Sequence, residues 1–184
     1  TEKELAQEKF GDIPLVEYKP SPNPDKNAYF GDLHVHTENS FDAYTFGTTS
    51  SPADAYEFAK GKAIKHPTGY AIQLSRPLDF YAVTDHGVFM GIVKEAADTS
   101  SEVSKYELAE PLHNLNENVS GSIISILRRA NTFRPFARSL ATGIEEGVID
   151  MKLLQEVSNG VWQGTIQAAD QAYVPGEFTT FAAY

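Results

Sequence analysis

The sequence predicts an α/β fold built on a parallel sheet. Three observations carry that prediction. Residues 78–84 (LDFYAVT) are nearly all apolar, as a strand is when both faces of its sheet are covered. Apolar runs alternate with helical patterns in the order strand, helix, strand, helices, strand. His36 and His86 fall at the C-terminal ends of the first two apolar runs, which is where such folds bind ligands.

The 184 residues suffice for one domain with a core of its own. The formal net charge of −10 repels phosphate backbones, so nucleic acid is not an expected partner. It leaves a phosphate ester open as substrate, because a bound cation reverses the local sign. No apolar run reaches about 18 residues, so no membrane partner is expected. There is no cysteine, which excludes disulfides, thiolate ligands and a thiol nucleophile. Any metal must be held by His, Asp and Glu, a donor set suited to Zn, Mn, Fe or Mg. The start at Thr1 fits a processed chain, and a removed secretory leader would place it in the periplasm or outside the cell.

Residues 1–11 are polar and charged and fit a frayed helical turn. Residues 12–28 carry Pro14, Pro20, Pro22 and Pro24 and read as an extended lead-in; the domain proper spans 29–184. Residues 29–36 read as a first, buried strand. Alternate side chains on a strand share a face, so His34 and His36 project together and Leu33 and Val35 lie opposite. Asp42 follows on the next loop. Two imidazoles and a carboxylate can serve a divalent cation, although a lone His-x-His is more often a half-buried strand with satisfied histidines.

A Gly/Ser/Thr loop spans 45–51. Ser51-Pro52 marks a helix start, with Ser as N-cap, Pro in the first turn and Asp54 favoured by the helix dipole. Ala55, Phe58 and Ala59 form its apolar stripe, and Gly61 ends it. Residues 62–77 read as an irregular excursion, with Ile72 and Leu74 as a possible edge strand. Residues 78–84 form the second strand, which ends in Asp85-His86-Gly87. A helix is expected over 89–104. Ile123, Ile124, Ile126 and Leu127 suggest another that ends in Arg128-Arg129, and Pro135 interrupts the next segment. Asp150 can cap a helix running to about Tyr173, with Gly160 and Gly164 each weakening it by about 1 kcal/mol. Pro175-Gly176 is a turn, and residues 178–184 form a third strand.

The candidate metal ligands are His34, His36, Asp42 and His86, with Asp32 and Asp85 beside them as carboxylates able to orient an imidazole. The other polar residues read as structural. His66 belongs to a loop and His113 to the surface. Glu145-Glu146 is a solvated turn. Arg128-Arg129 complements a helix C-terminus, and Arg76 pairs with Asp79. Trp162 and most Phe and Tyr residues belong to the core.

These motifs resemble the PHP superfamily, the polymerase and histidinol phosphatase hydrolases. The match is closest to a PHP-like branch of unassigned function. Its signature reads here as Tyr29-Phe30-Gly31-Asp32-Leu33-His34-x-His36-Thr37-x-x-Ser40-x-Asp42-Ala43. It continues as Pro52-x-Asp54-Ala55-Tyr56-x-Phe58-Ala59-x-Gly61, then Arg76-Pro77-Leu78-Asp79-Phe80-x-Ala82-Val83-Thr84-Asp85-His86. Trp162, Ala169-Asp170 and Pro175-Gly176-x-Phe178-Thr179-Thr180-Phe181-x-x-Tyr184 complete it. The resemblance covers about residues 28–92 and 160–184.

The resemblance implies a distorted (β/α)7 barrel with two or three divalent metal ions (Zn, Mn or Fe) at the strand ends. His34 and His36 would hold one ion, and Asp42 and His86 a second. It also implies a bridging glutamate and further ligands beyond Tyr184. A closed barrel typically takes about 250 residues, so the chain reads as the N-terminal part of the hydrolase, incomplete by itself. The remaining C-terminal part is then an expected partner, possibly as a second chain. One departure is Val88-Phe89-Met90, apolar where relatives often carry a glutamate.

The implied chemistry is hydrolysis of a small-molecule ester by metal-activated water, with a phosphoester as the leading substrate. A sulfate ester suits the same site. A non-catalytic metal-binding or structural chain is the alternative of a different class.

Overall fold

The computed structural model describes residues 23–119 and 122–184. The turn expected over 1–11 and most of the lead-in over 12–28 lie outside the described residues. In chain order the first elements are β1 (Gly31–Asp32), α1 (Phe41–Thr45), α2 (Pro52–Ala59), β2 (Ile64–Lys65), β3 (Ala71–Ile72) and β4 (Phe80–Val83). They are followed by α3 (Ile92–Ala97), 3-10 turns at Val103–Lys105 and Glu107–Leu112, α4 (Ile123–Glu145), α5 (Met151–Ala172) and β5 (Thr179–Ala182).

The fold is mixed α/β with a small parallel sheet, in the order β1-β4-β5. Gly31 pairs with Phe80, and Phe80 to Val83 pair with Thr179 to Ala182. β4 is central because it is the most apolar strand. Tyr81 and Val83 face Ala55, Tyr56 and Ala59 of α2 and Ala168, Ala169 and Ala172 of α5. Small residues on both helices let them pack close to the sheet. A second core joins α3, both 3-10 turns, α4 and the start of α5 around Ile92, Val93, Leu112, Phe136, Leu140 and Leu154. Within the described residues this is an open sheet with helices, and no barrel is seen.

Both predicted caps are present. Ser51 Oγ accepts the N–H of Asp54, and the Asp54 carboxylate accepts the N–H of Ser51. Asp150 accepts the N–H of Lys152 at 2.8 Å. Four expectations fail. The first strand is neither long nor buried: β1 holds two residues, and Tyr29, Phe30 and Leu33 are 59%, 59% and 55% exposed. It lies at a sheet edge, and Asp32 Oδ1 accepts the His34 N–H at 2.9 Å and bends the chain. The excursion over 62–77 is not irregular but holds an antiparallel hairpin, Ile64 paired to Ile72; Ile72 lies on a strand as expected, and Leu74 falls outside it.

The helix expected over 89–104 shrinks to α3. Phe89 and Gly91 take positive φ before it, and Asp98 accepts the Ser100 N–H and hydroxyl after it. A Cβ on Gly91, at φ +75°, would lie 2.6 Å from Val161. Finally, α4 ends at neither Arg128-Arg129 nor Pro135. It runs 23 residues through both. Proline within a helix costs about 3 kcal/mol, and here the burial of Phe136 and Leu140, which follow it, opposes that cost. Arg129 therefore sits buried in the second turn of the helix, far from its C-terminal end.

Candidate metal centre

Three stretches of chain converge past the C-terminal edge of the sheet. The first follows β1 and stays beside β4: the Thr84 N–H reaches Val35 O at 2.7 Å, and the Val35 N–H reaches Thr84 Oγ1 at 2.9 Å. This pairing delivers His36. The second is the first turn of α1, which carries Asp42. The third follows β4 and delivers His86. Asp85 locks the first and third together, accepting the Thr37 N–H at 2.5 Å and the Thr37 hydroxyl at 2.6 Å.

Asp42 lies between the two imidazoles. Its Oδ1 is 3.1 Å from His36 Nδ1, and its Oδ2 is 3.2 Å from His86 Nε2. Ligand atoms of the three residues all lie within 4.8 Å of one another. Two donors on one ion at about 2.1 Å are separated by roughly 3.0–3.4 Å for octahedral to tetrahedral angles. Both Asp42–imidazole spacings fall in that window, and the three residues could hold a metal ion.

Burial works against ionising Asp42, but hydrogen bonds from Ser40, His36 and the Ala43 N–H outweigh it. They bring its carboxyl down to about 2 from the usual 3.8. The residue is thus an anion across the physiological range, as a cation ligand must be. Asp85 behaves oppositely: burial pushes its carboxyl up, and the two Thr37 bonds offset only part of that. The His86 ring stacks on Phe41 at 4.8 Å, and Phe41 stacks on Phe133 of α4 at 5.3 Å, so α4 supports one wall of the site.

The expected ligands thus divide. His36, Asp42 and His86 come together. His34 is outside the group of three; it is exposed, with its ring stacked on His36 at 5.2 Å between centroids. Asp32 and Asp85 serve backbone and hydroxyl groups, and among the described residues no hydrogen bond links either carboxylate to an imidazole. His66 stacks on Tyr70 in the β2–β3 hairpin, and His113 Nε2 lies 3.0 Å from Ser104 O, both away from the centre. Glu145 and Glu146 are exposed at the end of α4. Asp79 accepts the Phe30 N–H at 2.7 Å, while the Arg76 guanidinium lies over the Phe30 ring.

A family model described as "Protein of unknown function (DUF3604)" matches residues 23–184. The chain belongs to that family. The match spans every stretch that builds the centre of this DUF3604 chain. No curated protein and no solved structure matches it. Sequence reasoning missed two contributors, Ser40 and Thr37. The available signal was their place between His36 and Asp42, where short hydroxyl side chains can bond the carboxylates of the site.

Proposed function

We propose that the chain provides a metal centre of a hydrolase that cleaves ester bonds, with a phosphoester as substrate. The observation that carries this reading is the His36–Asp42–His86 convergence at the strand ends, with a carboxylate held ionised between two imidazoles. The resemblance of the surrounding motifs to PHP hydrolases supports it. A divalent ion bound there supplies Lewis acidity and lowers the pKa of water. The chain's own part is to hold and orient. Asp42 provides the negative charge, His36 and His86 provide nitrogen donors, and the Thr37–Asp85 lock fixes the distance between the two loops that carry them.

The exposed ring of His34 stands next to the triad, placed to meet substrate or a second ion. Exposed apolar side chains along the sheet edges, Tyr29, Phe30 and Leu33 beside β1 and Phe181 on β5, support a further part of the hydrolase packing there, on the same polypeptide or a second one.

The test has two arms. Metal analysis of the chain loaded with Zn, Mn or Fe should find at least one ion per chain, and Asp42→Ala should lose it. The complete hydrolase should then turn over members of a panel of phosphate mono-, di- and triesters and sulfate esters only when loaded. Full activity in metal-free protein would sink the reading.

A further inference from the structure

Ser40 is the hub of the candidate centre. Its Oγ lies 2.8 Å from Asp42 Oδ1 and 3.0 Å from His36 Nδ1, and it accepts the His86 N–H at 3.2 Å. All three members of the triad therefore meet one oxygen, and the residue is fully buried. Ser40 is also the N-cap of α1, where a serine normally gives its oxygen to a backbone N–H of the first turn. Here the side chain makes no capping bond. Asp42 Oδ1 takes the Ala43 N–H instead, at 2.7 Å. The serine oxygen is diverted from its ordinary helix-starting role into the site.

A hydroxyl has one hydrogen and two lone pairs. The hydrogen goes to Asp42, one lone pair receives the His86 N–H, and the other faces His36 Nδ1. We infer that Ser40 is the positioning residue of the metal centre: it fixes the Asp42 carboxylate, the His36 ring and the His86 backbone relative to one another before an ion arrives. The inference rests on the metal-centre reading. It adds a residue that touches the ion through none of its own atoms but sets the spacing of those that do.

Zinc titration of the full chain, against a competing chromophoric chelator, tests it on wild type, Ser40→Ala and Ser40→Thr. Loss of an orienting partner of this kind weakens metal affinity by about 10–100-fold. Ser40→Ala should show that loss when measured well below the lowered melting temperature that removal of a buried hydroxyl brings. Ser40→Thr, which keeps the hydroxyl, should recover most of the affinity. A structural role would not move a second readout, the imidazole nitrogen NMR shifts of the metal-free protein. Ser40→Ala should change those of His36 and leave those of His66, in the remote hairpin, where they were. If Ser40→Thr fails to fold, that NMR comparison between wild type and Ser40→Ala decides. Wild type that takes up no zinc overturns the metal-centre reading itself. Wild type that binds while Ser40→Ala binds equally tightly, or has an unchanged His36 signature, overturns the role of Ser40 alone.

Discussion

Thr37 gives both of its hydrogen-bond donors to Asp85, the N–H at 2.5 Å and the hydroxyl at 2.6 Å. Both residues are 1% exposed, so neither can turn to water for a substitute. The pair fastens the segment after β1 to the segment after β4, one residue from His36 on one side and one from His86 on the other. Thr37→Val keeps the shape and removes the hydroxyl. Leaving a buried carboxylate oxygen without that donor should cost about 1–3 kcal/mol, read as a lower urea midpoint at unchanged slope. Thr37→Ser should restore most of it. A Thr37→Val chain as stable as wild type would mean that the lock contributes nothing.

Metal should raise the melting temperature, because an ion that binds the folded chain alone stabilises it by about 2.7 kcal/mol at a hundred times its dissociation constant. The triad geometry ranks the variants. Asp42→Ala should abolish the shift, since Asp42 stands between both imidazoles. His36→Ala and His86→Ala should reduce it strongly. His34→Ala should keep most of it, because His34 reaches the site only by stacking on His36. Thermal melts with and without Zn or Mn check the order, and equal loss in His34→Ala and Asp42→Ala would refute it.

That ranking shows where sequence and structure part. His36 and His86 were legible because strand ends in parallel sheets collect ligands, and β4 announces itself by its apolar run. The difference between His34 and His36 was not legible. Alternation places both on one face of an ideal strand, and only the turn at Asp32 separates their reach. Helix α1 was hidden as well. Its five residues are too few for a periodic stripe, and the diverted side chain of Ser40 leaves no conventional cap. The length of α4 was masked by Pro135, whose local cost is opposed by long-range packing of Phe136 and Leu140 that no window of sequence contains.

Arg129 is the clearest case of a residue whose role depends on such packing. Read as a helix-end charge, it is instead buried and donates to Thr45 O at 3.3 Å, to Leu115 O at 2.8 Å and to Asn116 Oδ1. Thr45 closes the helix that carries Asp42. Arg129→Ala should strip three acceptors of their partner and cost roughly 3 kcal/mol. Arg129→Lys should not rescue it, because one ammonium cannot reproduce the planar fork. Denaturant unfolding measures the cost. The same variant should also shrink the metal-induced thermal shift, since α1 loses its anchor. A loss of stability with an undiminished metal shift would separate α4 from the site.

The core beneath β4 makes a prediction at high pH. Burial, with Asp32 and Tyr56 adding to it, pushes the Tyr81 phenol up to about 12 from the usual 10. A phenol with a raised folded-state pKa favours folding while it is neutral. Its contribution is complete below pH 10, where the unfolded chain is also protonated, and is lost as pH rises through 12. Spectrophotometric titration should show a late step near 12. Tyr56 and Tyr44 are also raised by burial. Tyr81→Phe should remove one phenolate from the late step and lose less stability between pH 10 and 12 than wild type does. An unchanged late amplitude in Tyr81→Phe would mean that the ring reaches solvent and that the α2–β4–α5 core is looser than its packing implies.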